Sequence, residues 1–194
     1  TITFGALSPV TYGDADFNLT ATSDSSLVAT YTSSNTNVAT ILGNVVTIVG
    51  AGSTTITAFQ LGNSSYNPAT PVPQTLTVNT KELTVSGATA NDKEYDADIT
   101  ATISGGTLVG VINSDDVTFT GTGNFDDPNV GTDKNVTASF ALAGLDAGNY
   151  SVLGTSLTAD ITPKEITVIG ISIDNKEYDT TNAATISGTA NLSG

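Results

Sequence analysis

The segment K-E-L-T-V-S-G at Lys81 to Gly87 returns as K-E-I-T-V-I-G at Lys164 to Gly170, and the K-E-Y-D at Lys93 to Asp96 returns at Lys176 to Asp179. Both spacings are 83 residues, and the register holds without insertion as far as A-T-I-S-G at Ala101 to Gly105 and Ala184 to Gly188. A fixed period of this length marks a folding unit copied along the chain, so it constrains the architecture before any single residue does. The chain divides into a module at 1–80, a second at 81–163, and at 164–194 an incomplete second copy that holds opening strands only. The joints, Val78-Asn79-Thr80-Lys81-Glu82-Leu83 and Ile161-Thr162-Pro163-Lys164-Glu165-Ile166, pass almost directly from one apolar run to the next without a Gly/Ser-rich linker. They predict stiff connections, and Pro163 adds to this by fixing its own φ and restricting Thr162.

Within each module the periodicity is two. In Thr75-Leu76-Thr77-Val78, Leu83-Thr84-Val85 and Val117-Thr118-Phe119-Thr120, apolar residues alternate with hydroxyl residues, the pattern of a strand with one face in a core and the other in water. Gly43-Asn44, Gly50-Ala51-Gly52, Gly105-Gly106, Gly121-Thr122-Gly123 and Asn129-Val130-Gly131 lie between such runs and predict turns. No long window carries a helical stripe. Seven or so short strands per module predict an all-β fold of tandem Ig-like antiparallel β-sandwiches with Greek-key connections, extended end to end.

Five Lys and Arg face nineteen Asp and Glu, giving a net charge of −14 and a pI near 4.1. Nucleic acid and anionic membranes are poor partners for such a chain, because neutralising phosphate needs clustered cations. The chain has no Cys and no His, so thiol nucleophiles, imidazole bases and the zinc sites built from them are excluded. Apolar runs such as Val45 to Ala51 are too short to span a bilayer as a helix. The chain starts at Thr1 without a basic, apolar leader and contains no Met, which reads as an excised or processed fragment.

Three blocks carry a resemblance. Val28 to Ala58, V-A-T-Y-T-S-S-N-T-N-V-A-T-I-L-G-N-V-V-T-I-V-G-A-G-S-T-T-I-T-A, is similar to the bacterial Ig-like group-2 repeat, with Tyr31 where that repeat usually has Trp. With Tyr12-Gly13-Asp14 before it and Tyr66-Asn67 after it, the first module resembles the MBG-type repeats of bacterial surface adhesins. The second resembles the YDG repeat of the same large proteins, through Lys93-Glu94-Tyr95-Asp96, Val130-Gly131-Thr132-Asp133-Lys134-Asn135-Val136 and Leu145-Asp146-Ala147-Gly148-Asn149-Tyr150. Ala97, and Thr180 in the next copy, stand where the family usually has the Gly of Y-D-G, which leaves a positive-φ turn there without its usual residue. The resemblance implies an extracellular tandem-repeat adhesin and brings no catalytic residues.

Several residues are candidates for structural or binding roles. Asp146-Ala147-Gly148-Asn149-Tyr150 fits a tyrosine corner, in which Tyr150 opens a strand and returns its hydroxyl to the backbone upstream; Tyr66 is a weaker candidate for the same role in the first module. Tyr95 and Tyr178 recur at the period and read as packing residues. Asp127, Asn129 and Asp133 place oxygen ligands at alternate positions around a Gly turn, as a weak Ca²⁺ site would, with Asp115 and Asp116 as further donors. The Glu that closes an EF-hand is missing, the residue there being Ala138, and a solvated acidic turn explains the same residues. A Lys-to-Asp or Lys-to-Asn isopeptide bond, known in other surface adhesins, would need Lys93 or Lys134 beside its acceptor and a buried Glu such as Glu94.

The expected function is that of a non-catalytic stalk or spacer repeat with no cofactor, on a bacterial cell surface or secreted. Its partners are the neighbouring repeats of the same chain, with no nucleic acid and no membrane insertion. The alternative is an Ig-like module that itself binds a host glycan or protein. Residues 164–194, whose strands lack the rest of their sandwich, are expected to dock on the second module or to pair with another molecule.

Overall fold

A computed structural model of the chain describes residues 1–112 and 114–194. The described residues form strands and one turn of 3₁₀ helix at Ala147–Asn149. The chain folds as consecutive β-sandwiches, and no sheet among the described residues mixes strands from before and after Thr80.

The first module contains β1 (Ile2–Thr3), β2 (Val10–Thr11), β3 (Phe17–Asn18), β4 (Thr22–Ser23), β5 (Thr30–Ser33), β6 (Ala39–Leu42), β7 (Val45–Ile48), β8 (Gly52–Phe59) and β9 (Val72–Asn79). One sheet runs β2-β9-β8-β5 and the facing one β3-β7-β6, with β1-β4 as a short pair beside them. Alternate residues of β8, Thr54, Ile56 and Ala58, point inward, as period two requires. Ile56 and Ala58 join Val46, Ala39 and Leu76 in the core, while the rings of Phe4 and Tyr31 pack with centroids 5.7 Å apart.

After Thr80 alone, β10 (Lys81–Ala90) opens the second module. It is followed by β11 (Lys93–Glu94), β12 (Thr100–Ala101), β13 (Ile103–Val109), β14 (Thr118–Phe125), β15 (Gly131–Ala143), β16 (Tyr150–Val152) and β17 (Thr155–Thr162). The sheets are β13-β10-β16 and β11-β17-β15-β14-β12, closed over Phe125, Val136, Ile161 and Ala159.

The all-β sandwich fold is as expected, and most of its pairings are antiparallel. Within it β2 pairs with β9, β10 with β16 and β11 with β17 in parallel, so that the opening strands of each module lie alongside closing ones. One expectation needs correction. Gly105-Gly106 and Gly121-Thr122-Gly123 are not turns but lie inside β13 and β14. A Cβ on Gly121 or Gly123 would come within 3.0 Å of the Ile103 side chain, so these two glycines allow close packing between the sheets.

In residues 164–194, β18 (Thr167–Ile173) and β19 (Ile186–Ser193) form a two-stranded hairpin. Nearly every residue of it is exposed, so of the two expected arrangements docking on the second module is not the one present. Its strands satisfy one another, and the apolar face that should close a sandwich stands in solvent.

Candidate functional site at the joint between modules

The best-built polar cluster lies where the first module meets the second. Tyr12 follows β2 and is held by its backbone N–H donating to the Asn79 carbonyl at 2.9 Å, at the last residue of β9. Gly13, with φ +89°, turns the chain directly afterwards. A Cβ on Gly13 would lie 2.1 Å from Ile112 Cδ1, so this residue allows close approach across the joint.

The receiving surface comes from the β13–β14 loop and from the start of β16. Tyr150 is 5% exposed, and its hydroxyl accepts the Ile112 N–H at 2.9 Å while donating to Asp115 Oδ2 at 2.5 Å. The Tyr12 hydroxyl donates to the same Asp115 oxygen at 2.9 Å. The two rings meet edge to face, with centroids 5.4 Å apart and planes at 86°. One carboxylate oxygen thus accepts hydrogen bonds from tyrosines of both modules. Beside it, Asn149 Oδ1 accepts the Ala51 N–H at 2.8 Å, a second bond across the joint.

The Asp115 loop is itself braced. Asp146 Oδ2 accepts the Asp116 N–H at 2.9 Å, and the Asp116 carbonyl accepts the Asp146 N–H at 3.2 Å. Burial pushes the Tyr12 hydroxyl up to about 12, and the hydrogen bond to Asp115 and the negative charge of that group act in the same direction. Burial and then Asp115 raise Tyr150 as well, against the lowering effect of the Ile112 N–H. Both phenols therefore stay protonated at neutral pH and can only donate to the carboxylate.

The other sequence candidates lie elsewhere. Tyr66 forms no corner: the residue is 51% exposed, and its backbone N–H is bonded to Asn63 Oδ1 in a local turn. In the first module it is Tyr31 whose hydroxyl crosses between segments, accepting the Ala21 N–H at 2.8 Å. The Asp126–Asp133 loop departs from the expected Ca²⁺ site. Lys134 Nζ lies 2.9 Å from Asp127 and 3.2 Å from Asp126, while Asp127 Oδ1 also accepts the Asn129 N–H. An ammonium already occupies the place a cation would take. Asp133 has φ +49°, and its N–H donates to Asp160 Oδ1 at 2.8 Å. Asp115 and Asp116 lie beyond the other end of β14, roughly 25 Å away at the usual strand rise. Among the described residues no cluster of three or more acidic side chains could hold a metal.

Lys93 Nζ is 2.6 Å from Asp96 and donates to the carbonyls of Asp98 and Thr100, with the Phe125 ring centroid at 5.9 Å. Glu94 is exposed, so the buried acid an isopeptide bond requires is not beside Lys93. Ala97 has φ +64° and Thr180 +62°, so the turn keeps the left-handed conformation without its usual Gly.

Sequence reasoning missed Tyr12 and Asp115 as partners. A signal for Tyr12 was present: it precedes Tyr95 by the same 83 residues that separate Tyr95 from Tyr178.

Residues 79–159 match the YDG domain. Asp115, Asn149 and Tyr150, which form one side of the joint, lie within that matched segment. None of the curated proteins matches the chain. Among solved structures, the chain is similar to Drosophila N-cadherin EC1-4, with a TM-score of 0.35 and 13% identity, over 84% of this chain and 49% of that one. The chain therefore spans about half the length of that structure.

Proposed function

We propose that this chain is a non-catalytic spacer segment of a large bacterial surface adhesin, exported from the cell, whose task is to hold successive modules in fixed orientation. The observation that carries this reading is the joint. One connecting residue, Thr80, a carboxylate shared by Tyr12 and Tyr150, and the Asn149–Ala51 bond give the two modules few ways to move independently. Modules that touch mainly their sequence neighbours build rods, and a net charge of −14 keeps such rods from associating. The YDG match supports a repeat-type role. Small-angle scattering tests it: a radius of gyration well above the roughly 16 Å of a compact 194-residue globule is expected. A compact value, or scattering that requires a broad distribution of inter-module angles, would overturn it.

A second reading, recognition of a host glycan or protein, is favoured by one feature. A surface groove of about 650 Å³ in the first module is lined by Leu19, Ala21, Leu27, Val28 and Tyr31, with Val28 largely exposed. Glycan-array binding abolished by Val28→Asp would favour it.

A further inference from the structure

Tyr12 is not a peculiarity of the first module. In β2, Val10 and Thr11 pair with Val78 and Asn79, and in β11, Lys93 and Glu94 pair with Ile161 and Thr162 in the same parallel sense. Every member of the second set lies 83 residues after its counterpart. The next residue in each case is a tyrosine, and its N–H is bonded in the same way: Tyr12 to the Asn79 carbonyl and Tyr95 to the Thr162 carbonyl, both at 2.9 Å. Each carbonyl belongs to the last residue of its module's closing strand, and Lys81 or Lys164 opens the next repeat two residues later. Tyr95 therefore occupies, at the outgoing end of the YDG module, the place Tyr12 occupies at the outgoing end of the first. The residue is 38% exposed there.

We infer that Tyr95 is a latch for a following YDG repeat, and that its hydroxyl docks on that repeat's counterpart of the Asp115–Tyr150 socket. Each YDG module would then carry a socket at its incoming end and a latch at its outgoing end, a head-to-tail interface that propagates one joint geometry along an array. The partner is a second copy of this chain's own repeat, and residues 164–194 show that the chain begins one directly after Pro163. The joint is not identical in detail. Asp96 follows Tyr95 where Gly13 follows Tyr12, so Ile112 of the receiving repeat must rotate to make room for a Cβ. The inference deepens the spacer reading and rests on it.

The test uses a chain in which residues 81–163 occur twice in succession, so that Tyr95 of the leading copy faces Asp115 and Tyr150 of the following copy, the latter made visible by segmental isotope labelling. Hydrogen exchange at the Ile112 amide of the following copy reports the socket, because that amide donates to Tyr150. Tyr95→Phe in the leading copy is expected to speed this exchange roughly fivefold, the equivalent of one net hydrogen bond. Asp115→Asn in the following copy should remove the sensitivity to Tyr95→Phe, while in the 194-residue chain Tyr95→Phe should leave exchange and melting temperature unchanged. No response to Tyr95→Phe, a response that persists with Asp115→Asn, an equal loss of stability in the 194-residue chain, or a following copy without protection would each overturn the latch. Scattering from the doubled chain separates the two readings: growth by one module length with no response to Tyr95→Phe leaves the spacer and removes the latch, whereas loss of extension removes the spacer.

Discussion

The chain presents nearly the same segment twice, once inside a finished sandwich as β10 to β13 and once alone as β18 and β19. The local features survive the change of setting. Lys93 and Lys176 each reach the Asp three residues on, at 2.6 and 2.7 Å, and each donates to the carbonyl five residues on. The Asp96 and Asp179 carboxylates both accept a backbone N–H two residues later, and Ala97 and Thr180 share the left-handed turn. Burial and register do not survive. Leu83 is fully buried, while its counterpart Ile166 is 61% exposed.

The pairing Ala88↔Gly105 recurs as Ile171↔Gly188, but beyond it the second copy slips by one residue, giving Thr167↔Ser193 where the first has Thr84↔Val109. The slip begins where Thr189 replaces Gly106, which has φ +89° in the first copy, a conformation a β-branched residue avoids. With no buried face to penalise a shifted register, the hairpin accepts it. Loop geometry is thus encoded locally, whereas register and burial are fixed by the facing sheet.

The largest effect that could break this contrast is in the core. Leu83→Ala should lower the stability of the second module by about 2–5 kcal/mol, since it empties a site with no solvent access. Ile166→Ala at the equivalent position should leave the urea midpoint where it was. A comparable loss from both would mean that the hairpin packs on a core in solution.

The same contrast explains how much of the molecule was legible in the sequence. Period-two runs such as Thr75 to Val78 and the exact spacing of K-E-Y-D identified strands and modules, because alternation and self-similarity are properties of the chain alone. The Tyr150 hydroxyl accepts the Ile112 N–H, a contact between segments of one module, and a contact of that kind can be sought from the order of segments along one repeat. Asp115 was misassigned to the acidic loop because proximity in sequence hides the length of β14, which puts the two at opposite ends of the module. Likewise Lys134 is seven residues from Asp127, yet it reaches back into that loop and replaces the proposed cation. Contacts across a joint depend on where two modules meet, and nothing in the composition of either one displays that.

An intermediate effect sharpens the comparison at the joint, which braces the end of the first copy and has no counterpart at the hairpin. The Tyr12 pKa is raised by folding to about 12, above the ordinary phenol value, so its contribution is fully present below about pH 10 and disappears as pH rises through about 12. Exchange at the Ala51 and Ile112 amides should therefore accelerate, after correction for intrinsic base catalysis, between pH 10 and 12, with β18 amides following intrinsic rates throughout. Tyr12→Phe should show the faster exchange at these two amides already at about pH 8, below the ordinary phenol range. Flat corrected rates across that window would mean that Asp115 does not hold the modules together.

The smallest effect concerns the two left-handed turns. A non-glycine residue at φ near +60° carries a steric cost of about 1–2 kcal/mol, which glycine removes, although glycine also gains about 0.5–1 kcal/mol of unfolded-state freedom. The two terms nearly offset, and steric relief is the larger. Ala97→Gly should therefore raise the stability of the second module by about 0.5 kcal/mol, read as a small upward shift of its urea midpoint at unchanged slope. Thr180→Gly relieves a bulkier residue in the same turn, yet it should not move that midpoint, because the hairpin is outside the cooperative unit that the midpoint reports. A drop on Ala97→Gly would show that the Lys93–Asp96 contact and the Asp98 N–H bond already compensate the strain. A shift on Thr180→Gly would show instead that the second copy, though exposed, is energetically coupled to the first.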